Sequence, residues 1–326
     1  MISTKLILVD GISTTGKSNT SQYTSIQLMR NQFKPRWYHE FEKPSPLGPP
    51  SKPLDNEDAF TQLLKLWSDY TAKFIHSNEI VIVEALFQIP ILGLLWMGYS
   101  KDQIVGFYTR LYEIIRPLDP VFVYLRHADV KKNMMDIYRE RNTDEARVKT
   151  LCDIMLSNNY CRKNNLIGMD GVISYWVYID GIIAKRFGLF HGNKLELTVD
   201  RNSWKASYGK LFKFLDIAEK DSIVIDPSLL ERYTGTYPCE HDNKPDRFFI
   251  ETRNGELMLI DFPWSRNGER NPDYRLIPET ETSFYIAGLP YGLTFMVEKY
   301  SVYCEQKPVF GIDDQSVLKF YKENNA

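Results

Sequence analysis

Gly11-Ile12-Ser13-Thr14-Thr15-Gly16-Lys17-Ser18 follows the apolar run Leu6 to Val9 and opens an amphipathic stretch that Asn19 continues. Glycines in such a loop let successive backbone N–H groups turn inward around an anion. A helix starting just after the loop adds the positive end of its dipole at the same point. Strand, glycine-bounded loop, lysine, hydroxyl and helix are together what a phosphate cradle requires, and residues 11–19 are its predicted lining. Lys17 is then placed to contact the β- and γ-phosphates of a nucleoside triphosphate, and Ser18 to hold Mg²⁺.

The chain has 326 residues, of which 43% are hydrophobic, enough for two domains with a sizeable core each. A formal net charge of −2 supplies no basic field, so extended nucleic acid is not an expected partner, whereas a small anionic substrate is compatible. Cys152, Cys161, Cys239 and Cys304 form neither a CxxC pair nor a metal-ligand cluster and read as reduced thiols. The longest apolar stretch, Ile89 to Met97, is too short to span a bilayer. No signal-peptide pattern precedes the first strand. A cytoplasmic protein without membrane partners is the expectation, and a homo-oligomer is compatible with it.

Through residue 222, apolar runs alternate with helical patterns, the signature of a parallel sheet covered by helices on both faces. Strands are predicted at 6–10, 36–42, 79–84, 121–125 and 195–199. Helices are predicted at 17–31, 55–77, 101–115, 129–157, 173–187 and 204–215, and a proline-rich loop at 43–53. From residue 223 the pattern changes to short alternating segments, so residues 223–326 are predicted to form a second, all-β domain. Arg247 to Thr252, Asn254-Gly255 and Glu256 to Ile260 read as a hairpin closed by a type I′ turn. Further strands are predicted at 283–287, 293–300 and 302–305.

Beyond the loop, several residues carry the pattern of phosphoryl transfer. Glu84 ends the third strand, on the edge where an open α/β sheet meets its ligand, and is a candidate for Mg²⁺ or for proton transfer. Glu40 and Glu42 fall at the end of the second strand, on one side of it by alternation, and either is a candidate general base. Arg139 and Arg141 lie in a charged helix after the fourth strand and are candidates to neutralise the transferring phosphoryl group. Asp10 is a secondary candidate for orienting the loop. Gln88 is a candidate reader of a substrate polar group, and Trp37, Tyr38 and Phe87 are candidates to stack on a flat ring.

These segments resemble the nucleoside and nucleotide kinase branch of the P-loop proteins, which includes thymidylate and deoxynucleoside kinases. The resemblance rests on Leu8-Val9-Asp10-Gly11 with the loop, Tyr38-His39-Glu40-Phe41-Glu42 with Pro44, Val83-Glu84-Ala85, and Tyr124-Leu125-Arg126 with Arg139 and Arg141. It implies a three-layer α/β/α P-loop kinase fold and the role of base for Glu40 or Glu42. The arginine that commonly follows the acid of the third strand is replaced here by Ala85. Leu230-Glu231-Arg232-Tyr233-Thr234-Gly235-Thr236-Tyr237 resembles the opening of the lipocalin-like β domain appended to hydrolases of the β-lactamase family. The expectation is an ATP- and Mg²⁺-dependent kinase acting on a small-molecule acceptor. The alternative is an ATP-gated binding protein whose β domain recognises a ligand or partner.

Overall fold

Strand β1 (Leu6–Asp10) is buried along its whole length, which is why its sequence is an unbroken apolar run rather than an alternating one. The computed structural model describes residues 3–40, 59–141, 145–199, 204–241, 244–262, 273–298, 301–311 and 317–323. The chain divides into two compact units, Met1–Glu219 and Lys220–Ala326.

In the first unit β1 lies between β3 (Glu79–Glu84) and β4 (Val121–His127), with β2 (Lys34–Tyr38) and β5 (Lys194–Val199) at the two edges. All four pairings are parallel, with Val9 opposite Glu84 and Asp10 opposite Tyr124. Parallel pairing demands crossovers, and helices supply them. They are α1 (Lys17–Arg30), α2 (Ala59–Ile75), α3 (Gln88–Trp96), α4 (Lys101–Ile115), α5 (Val130–Arg141), α6 (Glu145–Met155), α7 (Asn159–Lys163), α8 (Gly168–Leu189) and α9 (Trp204–Leu215).

The helix expected over 129–157 is found as α5 and α6, α7 was not expected, and three elements nearer the loop also depart from the sequence expectation. The second strand starts two residues early and stops at Tyr38, so Glu40 sits in a turn beyond the ladder and the strand alternation that paired it with Glu42 does not apply. Pro35 is accommodated because β2 is an edge strand. Helix α3 was not anticipated, since a short, almost wholly apolar segment shows no helical periodicity. Helix α1 buries Thr20, Ser21, Thr24 and Ser25 against the sheet instead of an aliphatic stripe. Small side chains allow close approach, and the Thr24 and Ser25 hydroxyls donate back to the carbonyls of Thr20 and Ser21.

The second unit contains a short helix, α10 (Pro227–Leu230), and an eight-stranded antiparallel meander. Its strands are β6 (Gly235–His241), β7 (Lys244–Arg253), β8 (Glu256–Ile260), β9 (Tyr274–Pro278), β10 (Ser283–Ile286), β11 (Tyr291–Val297), β12 (Val302–Pro308) and β13 (Leu318–Tyr321). Each pairs with its sequence neighbour, and the amide of Glu323, just past β13, donates to the Thr236 carbonyl on β6, so the sheet curls into a nearly closed barrel. The predicted hairpin is present: Asn254 and Gly255 have φ of 53° and 79° between the paired Arg253 and Glu256. Inward residues form an aromatic core, with Tyr237 stacked on Phe248 at 5.3 Å and Tyr233 on Phe295 at 4.3 Å. Among the described residues no helix is long and apolar enough to cross a membrane.

Candidate phosphate site

From β1 the chain crosses to β2 and β3 on one side of the sheet, then returns to β4 on the other. The strand order therefore reverses between β1 and β4, and the crevice at the carboxyl ends of these strands is where an open α/β sheet takes its ligand. The loop of residues 11–16 opens there.

Close packing shapes this loop. At Gly11, with φ of 153°, a Cβ would sit 2.2 Å from the Leu125 carbonyl oxygen on β4. Thr14 and Gly16 both have left-handed backbones, with φ of 74° and 82°. The Ile12 carbonyl is the hub of the turn: it accepts from the Thr15 amide at 3.4 Å, the Thr15 hydroxyl at 2.9 Å and Lys17 Nζ at 3.1 Å. Helix α1 follows without a side-chain cap and without an acid in its first turn, so its own residues leave the positive helix end unneutralised.

Asp10 and Glu84 flank the loop, both fully buried. The Asp10 carboxylate accepts the backbone N–H groups of Gly11 at 2.8 Å, of Phe87, and of Gln88 at 3.3 Å, which ties the loop to the start of α3. Burial pushes its acid up to about 7, against the pull of Phe87 N–H, Lys17 and the other two amides. Glu84 Oε1 accepts the Ser18 hydroxyl at 2.6 Å, and Oε2 accepts the Trp37 indole N–H at 3.2 Å. Burial pushes this acid too up to about 7, opposed by Lys17, Ser18 and Trp37. Just beyond it Ala85 takes a left-handed φ of 60°, a strained turn for a residue with a Cβ.

Lys17 is only 5% exposed. Its ammonium donates to the Ile12 carbonyl and, at 2.5 Å, to Gln88 Oε1. Lys17, Ser18, Glu84 and the loop are thus brought together, with Asp10 and Gln88 as further members. Asn19 is exposed on α1. Glu40 is half-buried in the turn after β2, and Glu42 lies outside the described residues. Arg139 projects from α5, exposed and without a hydrogen bond or ion pair among the described residues. Arg141 is the last residue of α5, and its side chain lies outside the described set.

Burial places the three aromatic candidates in the core rather than on an open ring-binding surface. Trp37, Tyr38 and Phe87 are all in the core, Trp37 with its one polar atom on Glu84 and Phe87 stacked on Phe122 at 4.7 Å. Gln88 faces Lys17 rather than an open surface. Among other neighbours of the loop, Trp204, His127 and Met134 carried no sequence signal. Trp204, the first residue of α9, covers Gly16 so closely that a Cβ there would lie 2.5 Å from the indole. The Thr14 hydroxyl lies 3.2 Å from His127 Nε2 at the end of β4 and donates to Met134 Sδ on α5. Arg126 is held beside the same edge by Asp180 of α8, whose carboxylate also accepts the Tyr124 hydroxyl. Such contacts join residues more than fifty positions apart and follow only from the tertiary arrangement.

Mg²⁺ suits this donor set. It is a hard cation that keeps several waters and takes one or two protein oxygens together with phosphate oxygens. The Ser18 hydroxyl and the Glu84 carboxylate provide such a pair beside the loop. No protein-family model matches the chain, and no curated protein sequence matches it significantly.

Proposed function

We propose that the first unit is an ATP- and Mg²⁺-dependent small-molecule phosphotransferase of the P-loop kinase type, passing a γ-phosphate to a hydroxyl or phosphate of a small-molecule acceptor whose class the experiment below identifies. The observation that carries the reading is Lys17: a buried ammonium on a glycine-bounded loop, at the start of an uncapped helix and beside two buried acids. A cation so placed is of use to an anion that enters the loop. The amides of residues 11–19 would cradle the phosphates and Lys17 would neutralise the β- and γ-oxygens. Ser18 and Glu84 would hold the Mg²⁺, which supplies charge neutralisation on the phosphoryl group. Arg139 and Arg141 on α5 are the further cations of the proposal, and Glu40, Glu42 or Glu84 the acceptor base.

A second reading has one observation in its favour. The contact of Thr14 with Met134 joins the loop to α5, so occupancy of the loop can be felt by that helix. On this reading ATP gates binding, and the second unit, lipocalin-like in its eight-stranded meander, recognises a ligand or partner.

ADP release from Mg-ATP by the purified chain, with and without nucleosides, nucleotides, sugars and aminoglycosides, separates the two, with Lys17→Ala as the blank. Stimulation by one class supports the phosphotransferase and identifies its acceptor. Nucleotide binding with no stimulated turnover favours the gated reading, and turnover or binding unchanged in Lys17→Ala overturns both.

A further inference from the structure

An ammonium has three N–H donors, and among the described residues Lys17 commits two of them, to the Ile12 carbonyl at 3.1 Å and to Gln88 Oε1 at 2.5 Å. Two fixed directions at a tetrahedral nitrogen determine the third. That remaining donor belongs to a nearly buried cation, where an unmet hydrogen bond is costly, so the pair of protein acceptors leaves it poised for a ligand oxygen.

Of the two acceptors, the Ile12 carbonyl comes with the loop itself, but Gln88 stands 71 residues away and has to be brought there. Several independent contacts do so. The Gln88 and Phe87 amides are pinned on Asp10, the carboxylate that also holds the Gly11 amide. The Tyr108 hydroxyl of α4 lies within hydrogen-bonding reach of the Leu86 and Phe87 carbonyls. Ala85 adopts a left-handed backbone to turn the chain inward, and Gln88 is itself 5% exposed. A glutamine merely filling space needs none of this anchoring.

We propose that Gln88 is a positioning residue: its side-chain carbonyl, together with the Ile12 carbonyl, aims the third N–H of Lys17 at the transferring phosphoryl group. The proposal rests on the phosphate-loop reading above. It assigns Gln88 an effect on catalysis larger than its effect on nucleotide affinity, because the charge of Lys17 persists without it while the direction of the donor does not.

The test uses the full chain and two substitutions, with Mg-ATP turnover and the Kd of a fluorescent ATP analogue as separate readouts. Gln88→Met keeps volume but removes the acceptor; kcat is expected to fall about 10- to 100-fold while Kd moves less than about threefold. Gln88→Glu keeps an acceptor oxygen at the same reach and adds negative charge, so it is expected to recover most of the lost kcat with KM for ATP raised about tenfold or more. Unchanged kcat in Gln88→Met, or equal losses in both variants that track a fall in Tm, overturns the proposal. Should Gln88→Met fail to fold, Gln88→Glu decides alone: a raised KM with kcat within about threefold of the parent supports the role, and an unchanged KM overturns it. Lys17→Ala separates the two levels. If it loses nucleotide binding while Gln88→Met has unaltered kcat, only the role of Gln88 falls; if it binds nucleotide as the parent does, the phosphate-loop reading falls with it.

Discussion

Ser18 and Glu84 stand 66 residues apart in the chain and are joined by a 2.6 Å hydrogen bond at the carboxyl edge of the sheet. The bond exists because β1 and β3 pair in parallel with Val9 opposite Glu84, which sets the acid beside the first turn of α1. The same oxygens are those that suit Mg²⁺. Glu84→Gln preserves size and the neighbouring core but removes the anionic oxygens. Nucleotide binding measured without Mg²⁺ is expected to stay within a few-fold of the parent, and Mg-dependent turnover to drop about 100-fold or more. A variant that turns over normally, or that loses Tm and binding in proportion, would show Glu84 to be structural.

Gly16 and Trp204 make a second long-range pair. Gly16→Ala puts a methyl group 2.5 Å from the indole and places a side chain on a backbone with φ of 82°. The two penalties are separable. Left-handed strain costs about 1–2 kcal/mol, and the steric clash adds to it. In a Trp204→Ala background only the strain remains, so thermal melts of the four proteins in the cycle are expected to show Gly16→Ala costing less there than in the parent. Equal costs would mean that the indole does not press on the loop.

Asp10 gives the unliganded protein a pH signature. Its acid is raised by burial from an ordinary 3.8 to about 7. A raised folded pKa means that the native state holds the proton more tightly than the unfolded chain does. The stability so contributed is complete below about pH 4 and is lost as pH rises from about 4 to 7. Asp10→Asn cannot titrate, so the Tm advantage of the parent over the variant is expected to shrink between pH 5 and 8, on the order of 5 °C. Scanning fluorimetry across that range checks it, and a constant difference would show that Asp10 does not titrate there.

Each unit has its own core, one built on β1, β3 and β4 with their covering helices and the other on the aromatic interior of the barrel-like sheet. Residues 1–219 expressed alone are therefore expected to unfold cooperatively and to bind nucleotide with a Kd within about threefold of the full chain. An insoluble product, or one that binds nucleotide only with the second unit restored, would count against independent folding.

Some of the architecture was legible because local physics writes it directly. Leu6 to Val9 is a continuous apolar run since both faces of β1 are covered, and α4 starts at its capping box of Ser100 and Gln103. Asn254-Gly255 sets its turn through positive φ angles. Other elements left weaker traces. Lys34 and Pro35 disguised the start of β2, and the nearly all-apolar α3 offered no period from which to read a helix. The hydroxyl-rich inner face of α1 also ran against the usual pattern of an apolar stripe.

By itself the sequence determined the glycine-bounded loop and the acid ending β3, because glycine freedom, a lysine and a strand-end carboxylate are local features with local signatures. Tertiary structure decided what those groups meet. Only the strand order puts Leu125 against Gly11, Trp204 over Gly16, the Trp37 N–H on Glu84 and Gln88 on the Lys17 ammonium. Such contacts arise from parallel pairing across crossovers tens of residues long, and a low-dielectric interior then turns proximity into shifted acidity and directed hydrogen bonds. No single stretch of chain encodes a partner that arrives from another strand.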